Sequence, residues 1–480
     1  MELIAREMRK TTGDKEMVVD PVDEVSASLD GSDVRTLIQT IGTISRTIGH
    51  RLGKHLKKLV PLFFECIGER DEELGDDNES ALKCEIREFC FNGLESFVKC
   101  CPVEIAPFLV STSEGTLADE GEMNILSKAM EFTTFDPNYV GDAEDMNEDI
   151  DAGSEDGYSD YDDDEEEYFE DDDDTSWKVR RASVRVVKAI VVSRTEMNAI
   201  IYETCVDDLI KRLKERAEQV RIDVLQTFIA ILEATQNHAM NTSRSRVSLA
   251  GGAAPLSAAT SFADMEEVSE MPVLRRQRST INFLKDKLDD MIGAVCRLLN
   301  SSEKENSIEC KNKALEMVSK LLETLNEPLS EVNFNNIVSV ILNGMTGDKL
   351  SALRLNQLRC LRQIIDVHHH VDVQQYISNG STNNDGCGVT IPGGVDGNAM
   401  IPLMIQCINE DGYKNITEAL ALSDSLISKM RPLHFEEGEE AAGDTVFDFQ
   451  SYVGALYSAL KPRLEAQDID QEIKRAAIRR

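Results

Sequence analysis

The chain has 480 residues, more than one compact core sustains, so it must divide or stack. It is 41% hydrophobic but only 5% aromatic, with one Trp, so Leu, Ile, Val and Ala do the packing, as suits helix-on-helix contact. Its net charge of −37 repels phosphate backbones and anionic lipid on average, which argues against nucleic acid and membrane surfaces as partners.

The first residues, MELIAREMRKTTGDKE, are charged throughout and lack the apolar core of a signal peptide. No apolar run anywhere approaches the ~18 residues a membrane span needs. Amphipathic runs open at Asp33-Val34-Arg35 and Glu85-Ile86-Arg87, on either side of a short acidic insert at Glu69–Glu79. Cys100 and Cys101 are adjacent, a placement that rarely permits a relaxed disulfide, so they are read as packed thiols. The 11 cysteines include no CxxC pair and sit in apolar helical contexts, which implies reduced, buried thiols and a cytoplasmic or nuclear protein.

Residues 1–140 are expected to be helical repeats, followed by an acidic insert at 141–174. Asp142–Asp174 holds 20 acidic and no basic residues, too little apolar area to order itself. Outside it the chain keeps 68 acidic against 51 basic residues. Such a run solubilises its surroundings, or acts as a handle that speeds association with a basic surface.

One element then recurs: an acidic residue followed six positions later by Arg or Lys, which opens an apolar run. It stands at Asp174 and Arg180, Glu215 and Arg221, Asp348 and Arg354, and Asp468 and Lys474. Val179 to Val220 is 41 residues, as is Asn312 to Leu353, a period that belongs to paired-helix repeats. Val179, Ala182, Val186 and Ile190 follow helical spacing, as do Val220, Val224, Phe228 and Ile231, and then Leu315, Val318, Leu322 and Leu325. A shorter apolar segment, Asn198–Leu213, predicts the first helix of one pair. Repeats are expected at 175–236, 281–377 and 399–480, separated by a Ser/Ala/Gly-rich insert at 237–280 and a Gly/Asn-rich loop at 378–398. The predicted fold class is therefore all-α, a HEAT-repeat solenoid of antiparallel helix pairs.

Little points to catalysis. Three adjacent histidines, His368–His370, face three directions on a helix and cannot chelate one ion, so a solvated helix end or loop is expected. Arg180-Arg181-Ala182-Ser183 looks like a kinase site, but Ser183 falls within an apolar helix. The glycines near Gly386 and Gly393 have no G-K-[ST] after them. No cofactor or metal is expected. The alternatives weighed against a scaffold are a nuclear transport receptor or phosphatase scaffold of the same fold, and an enzyme using His or Cys chemistry.

Several segments carry a family resemblance. Ile41–Pro61 (IGTISRTIGHRLGKHLKKLVP), Leu94–Leu109 (LESFVKCCPVEIAPFL), Phe135–Val140 running into the acidic insert, and Ser176–Ser183 (SWKVRRAS) are similar, in order, to the cullin-associated, neddylation-dissociated proteins. Tyr413–Leu420, Ser428–Leu433 and Asp468–Ile478 continue the match. The resemblance implies a HEAT superhelix that wraps a cullin–RING ubiquitin ligase core lacking its ubiquitin-like modification. It also implies competition with adaptor and substrate-receptor modules, exchange of those receptors, and no active site of its own. The chain reads as the amino-terminal-to-middle stretch of such a protein, because no polar capping repeat is visible at either end. It departs from the family in lacking the first and last parts of the superhelix, and in the length of the 237–280 and 378–398 inserts.

The implied partners are the cullin and RING subunits, with the chain itself monomeric. The basic residues expected to meet them lie on second helices: Arg181, Arg185, Lys188, Arg221, Arg354 and Arg362. The same residues are equally suited to a ladder between repeats.

Overall fold

The computed structural model describes residues 31–70, 77–110, 123–136, 175–250, 280–301, 306–347, 351–368, 400–409, 412–430 and 449–465. Every regular element among them is helical, so the all-α solenoid expected from the 41-residue spacing is what the chain forms. The chain divides into two compact units, Met1–Arg194 and Thr195–Arg480.

In the first unit the helices are α1 (Gly31–Ile48), α2 (Leu56–Ile67), α3 (Asp77–Cys100), α4 (Ile125–Phe132) and α5 (Ser176–Ser193). A 3₁₀ segment, Gly49–His55, joins α1 to α2. Helices α1, α3 and α5 stack side by side in one row, and α2 and α4 pair with α3 and α5 respectively. The reason lies in spacing: Val179, Ala182, Val186 and Ile190 fall on one stripe of α5, and all are buried.

At the crossing of α1 and α3 the helices touch through Gly42 and Gly93. A Cβ on Gly42 would lie 3.6 Å from the Gly93 Cα, and one on Gly93 would overlap the ring of buried Phe63. Ser45 Oγ and Ser96 Oγ meet 2.5 Å apart in the same interface. Gly49 ends α1 in the left-handed region at φ 61°, where a side chain would strain the backbone.

The second unit holds α6 (Asn198–Thr204), α7 (Val206–Lys211), α8 (Glu218–Ala250), α9 (Thr280–Asp286), α10 (Leu288–Asn300), α11 (Ile308–Leu325), α12 (Glu331–Gly347), α13 (Ser351–Val367), α14 (Met400–Asn409), α15 (Tyr413–Met430) and α16 (Phe449–Glu465). Helices α8, α11, α13 and α15 form one row, and α10, α12, α14 and α16 form the other. Each element touches its partner and its immediate neighbours, which is how a solenoid buries one continuous core from local contacts.

Three sequence expectations meet a different structure. Asn198–Leu213 is not one helix but α6, α7 and a 3₁₀ turn, broken at Cys205, whose φ of −121° lies outside the helical range. Helix α8 runs on through Ala250, past the expected boundary at Asn237. Helix α3 begins at Asp77, within the span read as an acidic insert. The acidic run 141–174, the loop 378–398 and the Asp468/Lys474 element lie outside the described residues.

Candidate functional site

The recurring Arg has one structural use. It sits in a second helix, within the first turn or so for Arg180, Arg221 and Arg354 and near the middle of α3 for Arg87, is buried, and reaches back to carbonyls at or just beyond the end of the preceding helix. Arg87 on α3 donates from Nε to the Ile67 carbonyl at 2.8 Å and from Nη2 to the Glu69 carbonyl at 2.8 Å. Arg180 on α5 donates to the Phe135 carbonyl at 2.8 Å and to Ser176 Oγ at 2.7 Å. Arg221 on α8 donates to the carbonyls of Glu215 and of Arg216, the latter at 2.8 Å. Arg354 on α13 donates to the Met345 carbonyl at 3.3 Å.

The physics is that of a helix end. The last carbonyls of a helix have no intrahelical partner and carry partial negative charge, so a guanidinium satisfies them and is itself stabilised there. In the pair where both are described, the acidic residue six positions earlier contributes its backbone carbonyl. The Glu215 carbonyl accepts from Arg221, while the Glu215 carboxylate turns to Arg212 at 3.5 Å. In α11 the buried cation is Lys311; Lys313, which the 41-residue spacing aligns with Arg354, instead pairs with Glu316 at 2.7 Å on the surface.

A second set of polar contacts ties neighbouring second helices together. Arg35 meets Glu85 at 2.6 Å between α1 and α3, and Arg185 meets buried Glu95 at 3.1 Å between α3 and α5. Glu95 also takes Lys99 at 2.5 Å. In the second unit Asn356 donates to Asn312 at 2.9 Å and Gln363 to Glu323 at 3.4 Å, both between α13 and α11. Arg362 pairs with Glu418 at 2.6 Å between α13 and α15. These rungs set the angle between adjacent repeats and crosslink the solvent side of the row.

The residues anticipated from sequence as partner contacts therefore separate. Arg221 and Arg354 are enclosed and engaged with carbonyls of their own pair. Arg185 and Arg362 are half-buried and hold the rungs just described. Arg181 and Lys188 are half-buried on α5, where Lys178, Arg181, Arg185 and Lys188 recur at three- and four-residue spacing and so share one face. That stripe ends at Val192, which is exposed.

His368 is not the solvated helix end or loop expected from sequence. It is buried, its Nε2 accepts from the Leu329 backbone N–H at 2.9 Å, its Nδ1 lies 2.7 Å from the Ile364 carbonyl, and its ring packs on Phe334 at 4.5 Å. An imidazole that accepts at Nε2 donates at Nδ1, so the ring is neutral and fixed in one tautomer. The requirement for a ring acceptor at the α11–α12 turn arises only in three dimensions. His369 and His370 lie outside the described residues.

The described cysteines are buried or half-buried free thiols, in line with the apolar contexts the sequence gives them. Burial pushes the Cys205 and Cys296 thiols up to about 11 and Cys360 up to about 12. Burial, reinforced by a hydrogen bond to Cys66, also drives Cys90 upward. Raised thiols are poor nucleophiles. Ser183 is buried, with Oγ on the Arg180 carbonyl at 2.7 Å, so the kinase-like text around it is not presented to a kinase. Among the described residues no group of three His, Cys, Asp or Glu side chains is arranged to hold a metal, and no helix is long and apolar enough to cross a membrane.

Residues 397–480 match a family model described as "CAND1-like, TPR repeats". Over 449 residues, 92% of its length, the chain is 29% identical to Cullin-associated NEDD8-dissociated protein 1 of Arabidopsis thaliana. Over 453 residues, 93% of its length, it is 26% identical to the protein of the same name from Drosophila melanogaster. It spans about 29% of the length of each of these curated relatives. Among solved structures, the karyopherin Kap121p bound to Ste12p aligns over 99% of this chain and 36% of its own, with 9% identity and a TM-score of 0.30.

Proposed function

We propose that the chain is a member of the family of cullin-associated NEDD8-dissociated proteins and a non-catalytic scaffold that associates with cullin–RING ubiquitin ligase cores. The observation that carries this reading is the collinear similarity over more than nine-tenths of the chain to relatives named for cullin association. The fold supports it. Within each unit, stacked helices tied by polar rungs offer a pre-organised face, and such a face holds a partner without paying to order itself.

The finer mechanism follows the same line. The scaffold wraps the core that lacks its ubiquitin-like modification, covers the region that modification would occupy, and competes with adaptor and substrate-receptor modules, promoting their exchange. It acts as a monomer, in cytoplasm and nucleus, on cullin and RING subunits together. Arg181, Arg185 and Lys188 on α5 and Arg362 on α13 are the proposed contacts. Arg221 and Arg354 act through the second helices they anchor, rather than by touching the partner.

The test is binding of the chain, and of a full-length relative, to unmodified and NEDD8-modified cullin–RING cores by biolayer interferometry. Retention of the unmodified core and at least tenfold weaker retention of the modified one are expected. Equal binding of both, or enrichment of Ran or a phosphatase catalytic subunit in place of a cullin, would overturn the reading.

A further inference from the structure

The first unit carries a basic and apolar edge in a chain that is otherwise strongly acidic. Between Asp33 and Glu65 the sequence contains Arg35, Arg46, Arg51, Lys54, Lys57 and Lys58, two histidines, and no acidic residue. Arg46, Arg51, Lys54 and Lys57 are exposed, and among the described residues none of the four takes part in an ion pair. They line the end of α1, the 3₁₀ segment Gly49–His55 and the first turn of α2.

Three contacts bring the ends of α1, α3 and α5 to this same edge. Cys101 Sγ lies 3.6 Å from the Gly49 carbonyl, a Cβ on Gly53 would lie 2.6 Å from Glu104, and Arg194 donates to the Pro102 carbonyl at 2.5 Å. Ile48, Val103 and Val192 are the immediate neighbours of these joints, at 41%, 75% and 61% exposure, and Ile44 is 42% exposed one turn back on α1. Exposed aliphatics scattered singly mean little, but three of these sit beside the joints that bring the helix ends together, on an edge that also carries unpaired cations. Glu104, whose side chain lies against Gly53, is an acidic side chain among the described residues here.

We infer that this edge is a docking surface for an acidic protein segment that carries aromatic or aliphatic side chains. Four exposed cations select negative charge. The aliphatics Ile44, Ile48, Val103 and Val192 reward apolar side chains, which a nucleic-acid backbone does not offer and an acidic peptide does. The chain's net charge of −37 opposes every polyanion at long range, so attraction is local, within a Debye length of these cations, and the apolar contacts are what favour an acidic peptide over a polyphosphate. The inference stands independently of the cullin reading, because it rests on the charge and shape of this edge alone.

The experiment uses the full chain and fluorescently labelled poly(Glu,Tyr), with poly-Glu, duplex RNA and phosphatidylserine vesicles as the other arms, in fluorescence anisotropy or, for vesicles, flotation. The chain is expected to bind poly(Glu,Tyr) more tightly than poly-Glu, with an affinity that falls as salt rises. Arg51→Glu/Lys54→Glu/Lys57→Glu should weaken poly(Glu,Tyr) binding at least tenfold. Lys211→Glu/Lys414→Glu/Lys461→Glu, the same charge change placed on the second unit, should weaken it less than threefold. Val103→Ser/Val192→Ser should weaken poly(Glu,Tyr) severalfold and leave poly-Glu unchanged. All these positions are exposed, so far-ultraviolet circular dichroism should be unaltered. Failure of the parent chain to bind, equal loss in both triple variants, or tighter binding of RNA or vesicles than of poly(Glu,Tyr) would each overturn the inference.

Discussion

Replacing Arg87 by Met removes a cation that holds three helices at once. Its two hydrogen bonds to the Ile67 and Glu69 carbonyls, each 2.8 Å, clamp the end of α2 to α3. Its guanidinium also lies 5.3 Å from the Phe132 ring centroid in α4 and 5.0 Å from that of Phe135. Hydrogen bonds to a charged group contribute about 1.5–3 kcal/mol each. A desolvated cation–π contact adds about 1–2 kcal/mol. Relief of the buried charge and the packing of the Met side chain return part of that sum. The expected net loss is about 3 kcal/mol, which is roughly a hundredfold in an opening equilibrium.

Because a chain of two units does not unfold in one step, the assay is native-state hydrogen exchange read by mass spectrometry. Peptides from α2, α3 and α4 should exchange about a hundredfold faster in Arg87→Met. Peptides from α10 to α13 should be unchanged, because a solenoid transmits a local defect mainly to its neighbours. Arg87→Lys should fall about midway, since one ammonium cannot satisfy two carbonyls in the fork geometry of Arg. Exchange within threefold of the parent, or Lys behaving as badly as Met, would refute the carbonyl-clamp account.

Gly93→Ala should cost about 1–3 kcal/mol, because the new methyl overlaps the buried Phe63 ring at the α1–α3 crossing, and Phe63→Leu should recover part of that loss in urea denaturation. His368→Leu should orphan the Leu329 N–H at a cost of about 1–3 kcal/mol, seen as accelerated exchange at the α11–α12 turn; a neutral outcome would show the ring to be mere filling. Alkylation at pH 8 should modify half-buried Cys66 and Cys100 before Cys90 and Cys360, whose burial raises their thiols and keeps the thiolate scarce; Cys360 reacting first would contradict that order. Tyr202, pushed up to about 12 by burial, stays protonated in the fold while the unfolded chain ionises near 10, so stability should fall as pH rises from about 10 to 12, and Tyr202→Phe should flatten that slope.

What the amino-acid text determined by itself is the repeat. Apolar stripes such as Val179, Ala182, Val186 and Ile190 specify a buried helix face without reference to anything distant, and the 41-residue spacing of Val179 and Val220 specifies that such faces recur. The recurrence of an Arg in each second helix was legible too, but its burial was not, because its carbonyl partners lie 18 and 20 residues away for Arg87 and 45 for Arg180. The division of labour among basic residues was not legible. Arg185 and Arg362 were indistinguishable in sequence from Arg221 and Arg354, yet the first two span to acidic side chains 90 and 56 residues away, while the others cap carbonyls of their own pair. His368 likewise looks like part of a polar run until Leu329 and Phe334 close around it. Local periodicity sets what a helix buries. Which polar atom answers which is settled only when neighbouring repeats stack, because hydrogen bonds and ion pairs depend on distance in space and not on distance along the chain.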